Sequence, residues 1–321
     1  MSERIVEDLV VAQDGFDVLG PEVRQARVAS GRTVHYIADG EPDSLAMLFF
    51  GGTGTTARAV RLLEFARTMR EQLRIRVVSV ERNGLGQTPF DPRIGLGEHA
   101  ADVWSVLDHL QVDEVSVVAI SGGGPYAAHV AAARPDRIRS MHLACAVSEH
   151  LDERGPDVAP ARIAADPVSW WRFPDSSPVH RIPGFADSVV EEATRGVFAR
   201  GRDTPPEGLT QAFALYREAT LPDLSAVGAP SFVYWGGADT VVPLDHLDRW
   251  RSALPNVVRT RIYDGEGHDV QYRHWDQILA DVACLGDRIV VCSRGRTVMV
   301  RAERADQLLA DGATLGLCAW G

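Results

Sequence analysis

VSVVAISGGGPYAAHVAAARP, residues 115–135, is an apolar β-branched run that stops at Ser121 and turns at once into a glycine-rich helix start. A strand that reverses into a helix within one residue leaves that residue at the strand's carboxyl end, in a strained conformation with its side chain exposed. Small neighbours are then required. Ala119 and Gly123 flank the serine at two residues' distance, and Gly122 leaves its backbone N–H free to face an oxyanion. Pro125 fits early in the helix, where a missing N–H costs no hydrogen bond. The pattern is that of a nucleophile elbow, G-x-S-x-G, with Ala119 in place of the first glycine. Taken alone, a serine before three glycines also suits an ordinary turn or an anion-binding nest.

Composition narrows the choice. The chain has 321 residues, 45% of them hydrophobic, enough for one large core or two modest ones. A formal net charge of −11 argues against nucleic acid and anionic membrane as partners, because phosphate binding needs clustered Lys and Arg. A small, weakly charged molecule is the expected substrate. The opening MSERIVEDLVVAQDG is acidic, without the long apolar stretch of a signal peptide, and no segment has the length of an apolar membrane span. A cytoplasmic protein is expected. Four cysteines, Cys145, Cys284, Cys292 and Cys318, are too few for a disulfide-dependent scaffold.

Working outward from the elbow, strands alternate with helices. RQARVAS and RTVHYIADG predict a hairpin about Ser30 and Gly31, LAMLFFGG a buried strand, and RAVRLLEFARTMREQL a helix. Then come RIRVVSVER as strand, EHAADVWSVLDHL as helix, the elbow, and RIRSMHLACAV as strand. The rhythm breaks over residues 148–224, which read as a helical lid rich in aromatics (Trp170, Trp171, Phe173, Phe185, Phe198, Phe213, Tyr216). It resumes with APSFVYWGG, LDHLDRWRSAL, VVRTRIYDG and VQYRHWDQILADVACL. Such alternation implies a mostly parallel sheet with helices on both faces.

A serine hydroxyl becomes a nucleophile when a base takes its proton and a buried acid orients that base. Asp239 lies just past the apolar run SFVYW, and His268 follows RIY by a short acidic loop. The chain order Ser121, Asp239, His268 is the one expected when all three stand at the carboxyl edge of one parallel sheet. The alternative is that Asp239 caps a turn. Asp264 and Asp269 beside the histidine read as solvated loop residues. GGTGTT lacks the G-K-[ST] of a phosphate loop, and GGGP is not a dinucleotide fingerprint, so no cofactor and no metal are expected.

With these motifs in order, the sequence resembles the α/β-hydrolase superfamily from about Arg24 to Cys284, most of all its bacterial members with an SGGGPYA-type elbow. The family's HG-x-x-G loop matches residues 51–55, with Gly51 in place of the histidine and Thr55 in place of the last glycine. That match implies that the backbone N–H of Thr53 joins that of Gly122 in an oxyanion hole. ERNGLGQT, residues 81–88, matches D-R-P-G-x-G-x-S, with Arg82, Gly84 and Gly86 in register. The resemblance implies an α/β-hydrolase core over residues 1–147 and 225–284, the lid over 148–224, and an extension over 285–321.

The extension departs from the family. CSRGRT…GATLGLC, ending at Cys318, resembles a short bacterial module C-H-K-G-K-T…H-G-D-T-L-G-x-C, but Ser293, Leu308 and Asp311 stand where that module has histidines. A zinc site is therefore not expected there. Redox pairing of Cys292 with Cys318 is open if the fold brings them close, and free thiols are otherwise the default in a cytoplasmic protein. A strand-helix element packed on the hydrolase domain, or on a second copy in a homodimer, are the two readings left open.

The expected activity is a serine hydrolase that cleaves an ester, lactone or thioester of a small, largely apolar molecule through an acyl-enzyme. Trp170, Trp171, Phe173 and Phe213 are the candidate substrate contacts. Two alternatives stand beside it. One is the same three residues used for C–C bond hydrolysis, perhydrolysis or a biosynthetic rearrangement; the other is a ligand-binding protein of the same fold without turnover.

Overall fold

A computed structural model describes residues 9–10, 21–149 and 207–318. Eight strands form the main sheet: β2 (Arg24–Arg27), β3 (Thr33–Asp39), β4 (Leu45–Phe50), β5 (Ile75–Val80), β6 (Val115–Ile120), β7 (Ile138–Ala144), β8 (Ser231–Gly236) and β9 (Val257–Tyr263). Their order is β2-β3-β5-β4-β6-β7-β8-β9, and only β3 runs against its neighbours. The parallel strands thus bring their carboxyl ends to one edge, where loops from different parts of the chain meet.

Alternation along each strand divides the core in two. In β4, Leu48 and Phe50 face one side while Met47 and Phe49 face the other; in β6, Val117 and Ala119 oppose Val118 and Ile120. Helices α2 (Leu96–His109), α3 (Gly124–Ala133) and α5 (Leu244–Ala253) cover the first face with Val103, Leu107, Val130 and Trp250. Helices α1 (Arg67–Gln72) and α7 (Trp275–Cys284) cover the second with Met69, Trp275 and Ile278. Both faces are buried, which is why the central strands read as continuous apolar runs.

Two predicted helices differ in the structure. Residues Ala57–Ala66 of the first form a 3-10 helix, and only Arg67–Gln72 is α-helical. The buried positions there recur every third residue, Ala57, Val60, Leu63 and Ala66 beside Ala59, Leu62 and Phe65, which suits three residues per turn. The second, VQYRHWDQILADVACL, is split into α6 (Val270–Arg273) and α7 by His274, whose backbone leaves the helical region. The His274 ring stacks on Tyr263 at 3.5 Å and its Nε2 meets Glu266 at 2.9 Å.

The C-terminal extension packs on its own chain. Strands β10 (Ile289–Ser293) and β11 (Arg296–Val300) form a hairpin, flanked by β12 (Thr314–Leu315) and by β1 (Leu9–Val10) in a second sheet of four strands, with α8 (Ala302–Ala310) alongside. The acidic opening segment thus contributes a strand, Leu9–Val10, to this sheet. The hairpin turn, Arg294–Gly295, has both φ values positive (51° and 72°), the I′ geometry that matches strand twist. Val290 and Met299 join the core cluster of Trp275 and Ile278, so the extension is fused to the main sheet's second face.

The sequence leaves open whether the extension's cysteines pair, and the structure decides it. Cys292 and Cys318 form a disulfide, their Cα atoms 4.7 Å apart. The reason is register: Cys292 lies opposite Thr314 across β10 and β12, and the turn at Gly316 returns Cys318 beside it. Among the described residues no helix is long and apolar enough to cross a membrane.

Candidate active site

Ser121 directly follows β6 with φ 49°, in the left-handed region that a side chain occupies at a cost of about 1–3 kcal/mol. The surrounding glycines let the backbone close in. A Cβ on Gly123 would lie 2.5 Å from the Phe50 carbonyl, and one on Gly124 would lie 1.9 Å from that of Val147. The elbow is therefore enforced by packing against β4 and the β7 loop.

His268 and Asp239 arrive where the sequence reading places them, past β9 and β8. His268 Nε2 lies 3.0 Å from Ser121 Oγ, and His268 Nδ1 lies 2.8 Å from Asp239 Oδ2. The other carboxylate oxygen accepts the N–H groups of Val241 (2.8 Å) and Val242 (3.0 Å). Burial pushes the Asp239 carboxyl pKa up, but the His268 hydrogen bond and charge together with the Val242 N–H outweigh it and leave the net shift downward. An ionised Asp239 accepts only, so Nδ1 carries the imidazole proton and Nε2 presents its lone pair to the serine.

Cys145, just past β7, is a partner that the sequence reading missed. Its thiol is fully buried with φ 44° and hydrogen-bonds to Asp239, and burial followed by the Asp239 charge holds its pKa well above the ordinary value. Its position at a strand's carboxyl end, like those of Ser121 and Asp239, was the available signal. Ligand atoms of Cys145, Asp239 and His268 all lie within 4.8 Å of one another, the spacing of a metal-binding group. The imidazole and the thiol are, however, both spent on the same carboxylate.

The loop after β4 lies beside the elbow. The backbone N of Thr53 is 3.0 Å, and its Oγ1 2.2 Å, from the point where a Cβ on Gly122 would stand. Glycine is thus required at 122, and the two residues expected as oxyanion donors share one small space. Gly122 lies in the first turn of a helix, where backbone N–H groups have no intrahelical partner. The two departures of this loop from the family pattern compensate each other. A Cβ on Gly51 would stand 2.4 Å from Thr55 Oγ1, so the threonine hydroxyl fills the room that a side chain at 51 would need.

Arg82, read from sequence only as part of a shaping loop, clamps these residues. One guanidinium nitrogen donates to the carbonyls of Gly52 (2.6 Å) and Thr55 (2.8 Å) and to Thr55 Oγ1 (2.9 Å), while the other reaches Tyr216 Oη at 3.3 Å. Glu81 anchors the same loop by accepting the N–H groups of Gln87 and Thr88.

Of the proposed lid, helix α4 (Glu207–Glu218) is described; Trp170, Trp171, Phe173, Phe185 and Phe198 lie outside the described residues. α4 packs on the Glu81–Thr88 loop, where Gly208 meets the backbone of Asn83 and Gly84 and Gln211 takes a 2.7 Å hydrogen bond from Asn83. Tyr216 therefore reaches the elbow, with its hydroxyl 2.7 Å from the same Gly122 point. Phe213 packs edge-on against Tyr216, and Tyr126 does so from α3.

The α/β hydrolase fold family profile matches residues 9–274, and the chain belongs to that family. An uncharacterized hydrolase of Bacillus subtilis, YcgS, is 25% identical over 205 residues, covering 57% of this chain and 72% of the relative. Among solved structures, an α/β hydrolase fold protein from Nakamurella multipartita is similar with a TM-score of 0.61 and 20% identity, over 82% of this chain and 98% of that one. An esterase from Exiguobacterium antarcticum is similar with a TM-score of 0.61 at 14% identity, over 82% and 99%. These likenesses bear on the fold, and the protein is a hydrolase-family member whose substrate they leave unassigned.

Proposed function

We propose that this chain is a serine hydrolase that cleaves an ester, lactone or thioester of a small, largely apolar substrate through an acyl-enzyme. The observation that carries the reading is the unbroken hydrogen-bonded line Ser121–His268–Asp239, at 3.0 and 2.8 Å, behind a strained serine. Ser121 Oγ attacks the carbonyl carbon and its proton passes to His268 Nε2. Asp239 holds the imidazolium through Nδ1–H. The N–H groups of Thr53 and Gly122 receive the tetrahedral oxyanion, each such donor being worth about 3 kcal/mol in the transition state. Collapse expels the leaving group with the proton from His268, and water then repeats the sequence to release the acid.

In this reading residues 148–224 form a lid that selects the substrate. Contact of α4 with the elbow loop supports it, and Phe213 and Tyr216 supply an apolar wall. The test is labelling with a fluorophosphonate, which reports an activated serine without knowledge of the substrate. Labelling of wild type and none of Ser121→Ala is the expected result; equal labelling of both would place the nucleophile elsewhere. Activity should be indifferent to EDTA. The disulfide stands against the expected cytoplasmic location and favours an oxidising compartment, because the cytoplasm keeps such thiols reduced. Alkylation of Cys292 and Cys318 in freshly lysed cells decides between them.

A further inference from the structure

Beside the two proposed oxyanion donors stand two further hydrogen-bond donors, both hydroxyls. Thr53 Oγ1 and Tyr216 Oη stand 2.2 and 2.7 Å from the Gly122 point, so the two hydroxyls border one small space. Arg82 also donates to Tyr216 Oη at 3.3 Å. A guanidinium is only a donor, so the phenol oxygen accepts there. The two hydroxyls have two protons between them, and a bond of one to the other uses only one, so an O–H proton is left for a ligand.

We infer that the Tyr216–Thr53 hydroxyl pair, held and polarised by Arg82, supplies a third hydrogen bond to the oxyanion. The inference rests on the oxyanion site proposed above and adds a residue from the lid segment to it. Arg82 is nearly fully buried, and its bonds go to neutral carbonyl and hydroxyl oxygens. Among the described residues its charge has no carboxylate partner, and at the end of the relay it favours negative charge on the substrate oxygen. His99, which packs edge-on against Tyr126 at 5.2 Å, is kept neutral by burial and then by Arg82, its pKa pushed down to about 3. The Tyr216 phenol is held protonated chiefly by burial, so it remains a donor at neutral pH. A further consequence is that turnover depends on α4 being docked, since Tyr216 is carried by that helix while Arg82 and Thr53 belong to the core.

The experiment compares Tyr216→Phe, Thr53→Val and Thr53→Ser on p-nitrophenyl butyrate, with phenylboronic acid as a tetrahedral inhibitor and Ser121→Ala alongside. Tyr216→Phe removes one oxygen and keeps the ring. It should lower kcat about tenfold with KM within about twofold, and raise the boronate Ki by a similar factor, because the bond forms only with the tetrahedral species. Thr53→Val should lose at least as much, and Thr53→Ser should recover most of that loss. A purely structural role would alter the thermal midpoint or KM instead. If Tyr216→Phe and Thr53→Val both keep kcat and boronate affinity within about twofold while Ser121→Ala is inactive, the relay is wrong and the hydrolase reading stands. If Ser121→Ala turns over normally, both fall.

Discussion

The carboxyl edge of the main sheet and the C-terminal extension are built on opposite principles. At the edge, four loops from distant parts of the chain bring Thr53, Ser121, Asp239 and His268 together; Arg82 ties down the loop that carries Thr53, and Val241, Val242 and Cys145 surround the Asp239 carboxylate. The extension is a local hairpin and helix with a small core of Val291, Val300 and Ala305, closed by a disulfide 26 residues apart and by the pairing of Leu9–Val10. Polar groups at the edge are strained or buried, whereas the extension is closed by its disulfide and strand pairing. The lesson is that a side chain's worth here depends on whether its partners come from across the fold.

The sharpest break of that comparison is Ser121→Ala, which should reduce ester turnover at least about a thousandfold with the thermal midpoint nearly unchanged. A stability loss on the scale of a core mutation would show that the serine is there for packing. Asp239→Asn follows. It keeps the shape but removes the charge that fixes the His268 tautomer, and kcat should fall by about 10³–10⁴. Near-normal turnover in that variant would hand the acid's role to another loop.

The extension should respond in the other currency. Cys292→Ser with Cys318→Ser opens a loop whose closure contributes about 3 kcal/mol by the chain-entropy estimate. Thermal unfolding should fall by several degrees while kcat stays within about twofold. A proportional loss of kcat would couple the two regions and undo the contrast drawn above.

The smallest effect concerns acid stability. His142 sits in β7, fully buried, with its ring nitrogens at 2.9 Å from Ser140 Oγ and 3.1 Å from Tyr234 Oη, and burial followed by the Arg139 charge pushes its pKa down to about 3. The folded value lies below the unfolded one, so the unfolded chain takes up this proton first. Stability is thus kept above the ordinary value of 6.5 and lost progressively as the pH falls from there towards 3. His142→Phe removes this share. The difference in unfolding free energy between pH 7 and pH 5 should then shrink by about 2 kcal/mol, measured by urea titration. No change in that difference would mean that other groups set the acid limit.

Much of the fold was legible because its signals are local. The apolar runs of β4, β6 and β8 and the order Ser121, Asp239, His268 follow from patterns a few residues long. Even the 3-10 segment had its signal in the every-third-residue spacing of buried side chains, though the apolar content alone reads as α-helix. The split at His274 was not visible, because it depends on Tyr263 and Glu266 lying beneath that ring. Cys145 was passed over for the same reason. A thiol means nothing until the strand next to it delivers Asp239.

By itself the sequence determined the alternation of strands and helices, the elbow at Ser121 and the identity of its two partners, since turn chemistry and side-chain periodicity act between near neighbours. Tertiary structure alone decided which groups share a space. Arg82, Thr53 and Tyr216 come from the loops after β5 and β4 and from α4, and Leu9–Val10 pairs with Val298–Met299 at the far end of the chain. Such meetings are fixed by sheet order and crossover connections, which no short stretch of sequence encodes.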